Sequence, residues 1–226
     1  MSNKVSVIIR TRNEERFVGY AIQSILDKID KPEIIILDNN SIDQTSQIVR
    51  LFSQDKSLQS KNNKNYTDIK VFNIKDYTPG KSLNFGIKKA KYQNIIIMSA
   101  HCEIKKIDFI NHLKDLNKYI CIFGNQTPVY RGKKITKRYI WKHFGNKKLE
   151  NMYSKSEERY FLHNAISIYK KKFMLKNPFN ENLQGKEDRY WINKLMKKKK
   201  YKYLYDPNLE VIHHYTPNGN TWKGIG

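Results

Sequence analysis

The residues of this chain that could do chemistry fall in six short stretches. The longest, Asn177-Pro178-Phe179-Asn180-Glu181-Asn182-Leu183-Gln184-Gly185-Lys186-Glu187-Asp188-Arg189-Tyr190-Trp191, carries two adjacent carboxylates at a predicted helix start. A carboxylate within hydrogen-bond reach of a hydroxyl can take its proton while that oxygen attacks a carbon centre. Asp188 and Glu187 are the candidates for that work, and neighbouring side chains at a helix start point in different directions. Acidic residues also occur in first helical turns simply because the helix dipole favours them there.

Two more stretches, Thr11-Arg12-Asn13-Glu14 and Asp38-Asn39-Asn40-Ser41, each follow a short apolar run and precede a helical pattern. Amides at a helix N-terminus attract anions, although the same Asp and Asn types also serve as turn and cap residues. Gly80-Lys81-Ser82-Leu83-Asn84-Phe85-Gly86 lacks the earlier glycine of a P-loop, yet Lys81 offers a point charge to phosphate. Ser99-Ala100-His101 closes another apolar run, and Tyr205-Asp206-Pro207 leads to Val211-Ile212-His213-His214 late in the chain. An imidazole suits manganese or softer ions, whereas magnesium prefers oxygen. Alternation along a strand turns only one of His213 and His214 inward, and His213 is the preferred one.

Hydrophobic period supplies the elements that must hold these residues. Val5–Ile9 reads as a buried strand, followed by Val18, Ile22, Ile25 and Leu26 at helical spacing. Ile34–Leu37 with Ile48, Val49, Leu51 and Phe52 repeats the unit. Residues 54–65 read as a polar surface loop, Ile69–Ile74 as a third strand, Lys81–Lys91 as a helix and Ile95–Met98 as a fourth strand. Continuous apolar strands alternating with amphipathic helices predict an α/β fold with a mostly parallel sheet covered on both faces. Ligands of such sheets sit beyond the carboxyl ends of the strands. The second half is less regular: Tyr119–Phe123 and Ala165–Tyr169 read as strands, with a basic, aromatic segment of no clear period over Gln126–Arg159.

In this order the stretches resemble the inverting family 2 glycosyltransferases of the Rossmann-like GT-A fold, over nearly the whole chain. The family pairs a Thr-Arg-Asn-Glu-like run with an Asp-Asp-Gly-Ser-like run, then has Phe-x-Glu, Gly-x-Glu-Asp, Tyr-x-Pro and Val-x-His. The resemblance implies one domain over 1–226, with a nucleotide-sugar-binding half (1–103) and an acceptor-binding half (104–226). It implies that Thr11, Arg12, Glu14, Asp38, Lys81, Asn84, Ser99 and His101 surround the donor, Asp38 taking a hydrogen bond from the base or ribose. Ser-Ala-His stands where the family commonly has a metal-binding Asp-x-Asp. A divalent ion, Mn2+ or Mg2+, is therefore in question, with His101 and His213 as its expected ligands; direct contact of His101 with the diphosphate and a dead site are the other two accounts. The implied reaction is transfer of a sugar from a nucleoside diphosphate to a hydroxyl of a glycan or lipid-linked acceptor, as in polysaccharide biosynthesis, with Asp188 as the general base and Glu187 orienting the acceptor or binding a nearby basic group. A non-catalytic nucleotide- or glycan-binding relative is the alternative.

Composition bounds these readings. Lys and Arg number 43 against 21 Asp and Glu, a net charge of +22, which draws a protein towards phosphate-rich partners. The run Lys197–Lys200 followed by Tyr201, Tyr203 and Tyr205 has the basic and aromatic mixture of nucleic-acid binders. A solvated helix end leading into a half-buried strand accounts for it more simply, and no nucleic-acid partner is expected. The same lysines could rest on anionic lipid. No apolar run reaches the roughly 20 residues that cross a bilayer, and Cys102 and Cys121 form neither a zinc pattern nor a disulfide framework. The expected place is a reducing cytoplasm, with peripheral contact at the inner face of the membrane.

Overall fold

A computed structural model describes residues 4–54, 67–134, 144–155 and 157–216. The loop expected at 54–65 therefore lies outside the described residues from position 55 onward. The first half runs β1 (Val5–Thr11), α1 (Val18–Lys28), β2 (Glu33–Asp38), α2 (Thr45–Gln54), β3 (Asp68–Asn73), α3 (Pro79–Lys89) and β4 (Asn94–Ser99). The second half follows with β5 (Cys102–Lys106), α4 (Phe109–Asp115), β6 (Cys121–Tyr130), β7 (Lys133–Lys134), β8 (Leu149–Glu150), β9 (Tyr153–Ser154) and β10 (Arg159–Tyr160). It closes with β11 (Ile166–Lys170), α5 (Lys171–Lys176), α6 (Glu187–Met196) and β12 (Leu204–His214).

The main sheet has the order β3-β2-β1-β4-β11-β6-β12-β5 and crosses residue 103 without a break. The first four strands are parallel to one another. β11 runs against both β4 and β6, β12 is parallel to β6, and β5 runs against β12. Because both faces are covered, successive residues of one strand enter two different cores. Ile8 packs with Leu37, Leu83, Ile97, Phe123 and Trp191. Val7 and Ile9 pack with Ile22, Ile25, Ile36, Met98 and Ile166 on the other face.

Strand order reverses between β1 and β4. Chain connections leave these two strands on opposite sides there, which opens a crevice at their carboxyl ends. Three elements depart from the sequence expectation. The strand expected at Tyr119–Phe123 extends to Tyr130, since β6 lies between β11 and β12 and its polar residues are paired along the backbone. Gly124 makes this possible: a Cβ there would stand 2.1 Å from the Leu209 carbonyl oxygen. The helix expected from Lys81 begins at Pro79, where the Thr78 hydroxyl accepts from the Lys81 amide at 3.1 Å. The chain from Tyr203 to Asp206 is covered on both faces rather than half-buried, because β12 is interior to the sheet: Tyr203 and Tyr205 are buried, and so is Leu204 on the opposite face, while Tyr201 is partly covered and Lys202 exposed.

Cys102 and Cys121 are both buried and free. Among the described residues no helix is long and apolar enough to cross a membrane.

Candidate active site

The turns after β1 and β2 are laced together by their own polar side chains. The Thr11 hydroxyl donates to Asp38 Oδ1 at 2.9 Å, and the Ser41 amide donates to Asp38 Oδ2 at 3.1 Å. The Asn13 amide donates to Ser41 Oγ at 2.9 Å, the Ile42 amide to Asn13 Oδ1 at 2.9 Å, and the Glu14 amide to Thr45 Oγ1 at 2.7 Å. Asn13 and Asn40 hold φ of 55° and 50°, left-handed conformations that asparagine tolerates better than most residues. Turn chemistry and site chemistry thus coincide: the bonds that shape the turns also fix Thr11 and Asp38 relative to each other.

A cavity of about 490 Å³ opens at the switch point, lined by Arg10, Thr11, Arg12, Asn13, Glu14, Tyr77, Ser99, Ala100, His101 and Thr216. The ends of β1 and β4 therefore converge, bringing Thr11, Arg12, Glu14, Ser99 and His101 together. Asp38 stands behind Thr11, outside the lining. Lys81 also lies outside it: its side chain is 45% exposed and its Nζ is 3.9 Å from Asp76. Asn84 is buried and clamps the loop before α6, with Nδ2 donating to the Phe179 carbonyl and to Glu181 Oε1, both at 2.9 Å, and Oδ1 accepting from the Phe179 amide at 3.0 Å. Gly80 belongs to the same clamp, since a Cβ there would stand 2.2 Å from the Asn180 carbonyl oxygen.

His101 turns Nδ1 to Glu14 Oε1 at 2.8 Å, and its ring stacks on that of His213 with centroids 4.9 Å apart. His213 is buried and its Nδ1 pairs with Gln126 Oε1, whereas His214 is partly exposed, pairs with Glu103 and stacks on Phe17. Burial, helped by the nearby imidazoles of His101, His163 and His214, pushes His213 well below the ordinary histidine range. Metal-bound imidazoles commonly give their other ring nitrogen to a carboxylate or carbonyl. The Glu14 and Gln126 contacts fit that arrangement, presenting Nε2 as the nitrogen an ion would take. Among the described residues no three His, Cys, Asp or Glu side chains converge as a metal site, so oxygens of a bound ligand would have to complete the coordination.

At the start of α6, Asp188 Oδ2 accepts from the Asn164 amide at 3.0 Å and Oδ1 from the Arg189 amide at 2.7 Å. Burial first, and Glu187 beside it second, push the Asp188 carboxyl up to about 7 against the opposing pull of Arg189 and Arg10. Glu187 is itself buried and meets Arg10 Nη1 at 2.9 Å. Arg10 is held protonated well above the ordinary range, Glu187, Tyr77 and Asp188 outweighing the opposing effect of burial. A carboxyl whose proton leaves near neutrality thus stands next to Glu187, whose partner Arg10 lines the cavity, while Glu187 and Asp188 themselves lie outside that lining.

Sequence reasoning missed Arg10, Tyr77, Gln126, Asn164 and Thr216. Arg10 alone carried a legible signal, a cation closing a run of buried apolar residues, because such a charge demands a partner. His163 is buried too, with Nε2–H donating to the Gly124 carbonyl at 2.8 Å and Nδ1 accepting from the Ala165 amide at 3.2 Å; burial pushes it down to about 3.

A family model described as glycosyl transferase family 2 matches residues 6–183. A GalNAc(5)-diNAcBac-PP-undecaprenol β-1,3-glucosyltransferase of Campylobacter jejuni is 27% identical over 206 residues, which is 88% of this chain and 61% of that protein. A dolichyl N-acetyl-α-D-glucosaminyl phosphate 3-β-D-2,3-diacetamido-2,3-dideoxy-β-D-glucuronosyltransferase of Methanococcus voltae is 32% identical over 103 residues, 44% of this chain and 29% of that one. This chain thus spans less than two thirds of the relatives it matches. Among solved structures, Staphylococcus aureus TarS 1-349 with UDP-GlcNAc matches with a TM-score of 0.67 at 20% identity, over 96% of this chain and 60% of that one. The mannosyltransferase PcManGT of Pyrobaculum calidifontis, with GDP-Man and Mn2+, matches with a TM-score of 0.69 at 15% identity, over 97% and 59%. At these identities the structural likeness shows the fold, a GT-A α/β fold.

Proposed function

Because this chain belongs to glycosyl transferase family 2, we propose that it transfers a sugar, with inversion, from a nucleoside diphosphate donor to a hydroxyl of a glycan on a lipid-linked acceptor. The observation that carries this reading is the Arg10–Glu187 ion pair, which joins the lining of the switch-point cavity to the helix start that bears Asp188, a carboxyl raised to about 7. The donor lies in the cavity, its nucleotide against Thr11 and Arg12 with Asp38 behind them, and its diphosphate towards Ser99 and His101. The Campylobacter relative, named for an undecaprenol-linked acceptor, supports the acceptor class.

In the reaction Asp188 takes the proton of the acceptor hydroxyl as that oxygen bonds to the anomeric carbon from the face opposite the leaving group. The bond from anomeric carbon to diphosphate oxygen breaks, and the diphosphate departs with its electron pair. Arg12 and His101 face the charge that develops there, and donors already in place at such a centre stabilise the transition state more than the ground state. His101 and His213 would hold a divalent ion, which when bound supplies further positive charge to the leaving diphosphate. The neighbour solved with GDP-Man and Mn2+ is consistent with that ion.

Calorimetric titration with UDP, GDP, dTDP and CMP, each with and without manganese, tests the donor half without knowledge of the acceptor. Selective binding of one nucleotide is expected. Uniform, salt-sensitive binding of all four would show general polyanion attraction and overturn the reading.

A further inference from the structure

We propose that Arg10 is a positioning residue for Asp188: through its pair with Glu187 it locks the start of α6 to the end of β1 and presents Asp188 to the cavity as a carboxylate. This role rests on the reading of Asp188 as the base. Val5–Ile9 are all buried, so Arg10 closes a stretch in which a charge needs a partner to be tolerated. The partner comes from the far end of the chain. Arg10 Nη1 meets Glu187 Oε1 at 2.9 Å with the two side chains 22% and 5% exposed. Among the described residues this is the one ion pair that Glu187 makes.

Arg10 also lines the cavity, together with Tyr77 and Thr11. One side chain therefore touches both the donor cavity and the carboxylate that adjoins the base. The geometry has an electrostatic consequence, because Asp188 is surrounded by groups of both signs. Glu187 on its own helix disfavours its carboxylate form; Arg189 on the same helix and Arg10 from β1 favour it; the Asn164 and Arg189 amides donate to it, and the Tyr169 hydroxyl of β11 stands nearby. Were Arg10 absent, Glu187 would act on Asp188 unopposed from that side, and the base would keep its proton at neutral pH. Were Glu187 absent, Arg10 would act alone and Asp188 would ionise more readily.

The test is a pH titration of the whole protein labelled with 13C at aspartate carboxyls and followed by NMR, with Asp188→Asn assigning the resonance. Arg10→Met should raise the Asp188 midpoint, by about half a pH unit or more, and Glu187→Gln, whose charge acts more strongly on Asp188, should lower it by more than that. The double variant, which removes both members of the pair, should lie between the two single variants. It also keeps the test alive if Arg10→Met alone fails to fold. Coincident midpoints in the parent and the variants would overturn the role of Arg10, as would a double variant displaced as far as either single change. A contact that was only structural would alter unfolding without moving the midpoint in opposite directions. No donor or acceptor enters this titration, so its failure and failure of the transferase reading are told apart: loss of selective nucleotide binding sinks the second and leaves the first standing.

Discussion

His101, in the turn after β4, meets Glu14, in the turn after β1, at 2.8 Å across the point where the strand order reverses. The carboxylate fixes the imidazole's orientation, which is what an outer partner does for a metal ligand. Manganese should therefore tighten nucleotide binding, and His101→Ala should abolish that gain. Glu14→Gln should weaken the metal-dependent part by roughly 10- to 100-fold. Calorimetry with and without manganese reads both. An unchanged manganese effect in the His101 variant would remove this residue from the ion's coordination.

The Asp188 carboxyl, raised to about 7 by burial and by Glu187, sets an acid limb for turnover. A base acts only when deprotonated, so kcat/KM should rise about tenfold per pH unit below 7 and level off above it. Asp188→Asn should remove the limb together with nearly all transfer. The same shift has a stability consequence of definite sign: the folded state holds this proton more tightly than the unfolded chain, so Asp188 costs stability as pH rises from about 4 to 7. A limb that persisted in Asp188→Asn would assign the base elsewhere.

Away from the cavity, Asp206 is buried with His112 Nε2 at 3.3 Å and Lys148 Nζ at 2.9 Å. Burial alone would raise its carboxyl, but hydrogen bonding to these two groups holds it at about 2. Here the folded pKa is depressed, so the contribution is present above the ordinary carboxylate range and lost as pH falls towards 2, about 2 kcal/mol in size. Asp206→Asn should cost about 3 kcal/mol at pH 7, where a broken buried pair is felt fully. Urea unfolding at pH 7 and near pH 2 should show the gap narrowing in acid; a constant gap would contradict the charge account.

Gly80 approaches the Asn180 carbonyl so closely that a Cβ would stand 2.2 Å from it. Gly80→Ala should push the loop before α6 away from α3 and cost about 1–3 kcal/mol. Transfer should fall more than nucleotide binding does, because the loop leads into Asp188 while the donor turns are untouched. Equal losses of both would mean that the clamp does not govern α6.

Lys197–Lys200 are exposed at the end of α6 remote from Asp188. We propose peripheral contact with anionic lipid through this run, each lysine contributing on the order of 1 kcal/mol. Sedimentation with phosphatidylglycerol vesicles should bring the protein down at low salt, and substitution of the four lysines by glutamine should release it. Retention by neutral phosphatidylcholine vesicles would point to an apolar contact instead.

Strands β1, β2 and β4 were legible because each is a continuous apolar run, the signature of a strand covered on both faces. Helices α1 and α3 followed from their period, and the polar residues between them marked the carboxyl edge. β5 and the full length of β6 were not legible. Their polar residues belong to the sheet only because β12 lies alongside, and no local period reports a neighbour some 80 to 110 residues away along the chain. Asn84 was legible as a polar residue of a helix start, but its use as a clamp on Phe179 and Glu181 depends on how that distant loop packs.

What the sequence determined by itself was the order of strand-end residues around one edge, from Thr11 to His213, and with it the fold and the family. Residue type and local spacing suffice for that, because backbone alternation and helical period are properties of a few neighbouring residues. Only the tertiary structure decided that His213 stacks on His101 while His214 turns to Glu103, and that Glu187 meets Arg10. Those choices depend on register between strands and on which side chains share one buried volume, where an unpartnered charge is costly and the nearest opposite charge settles the arrangement.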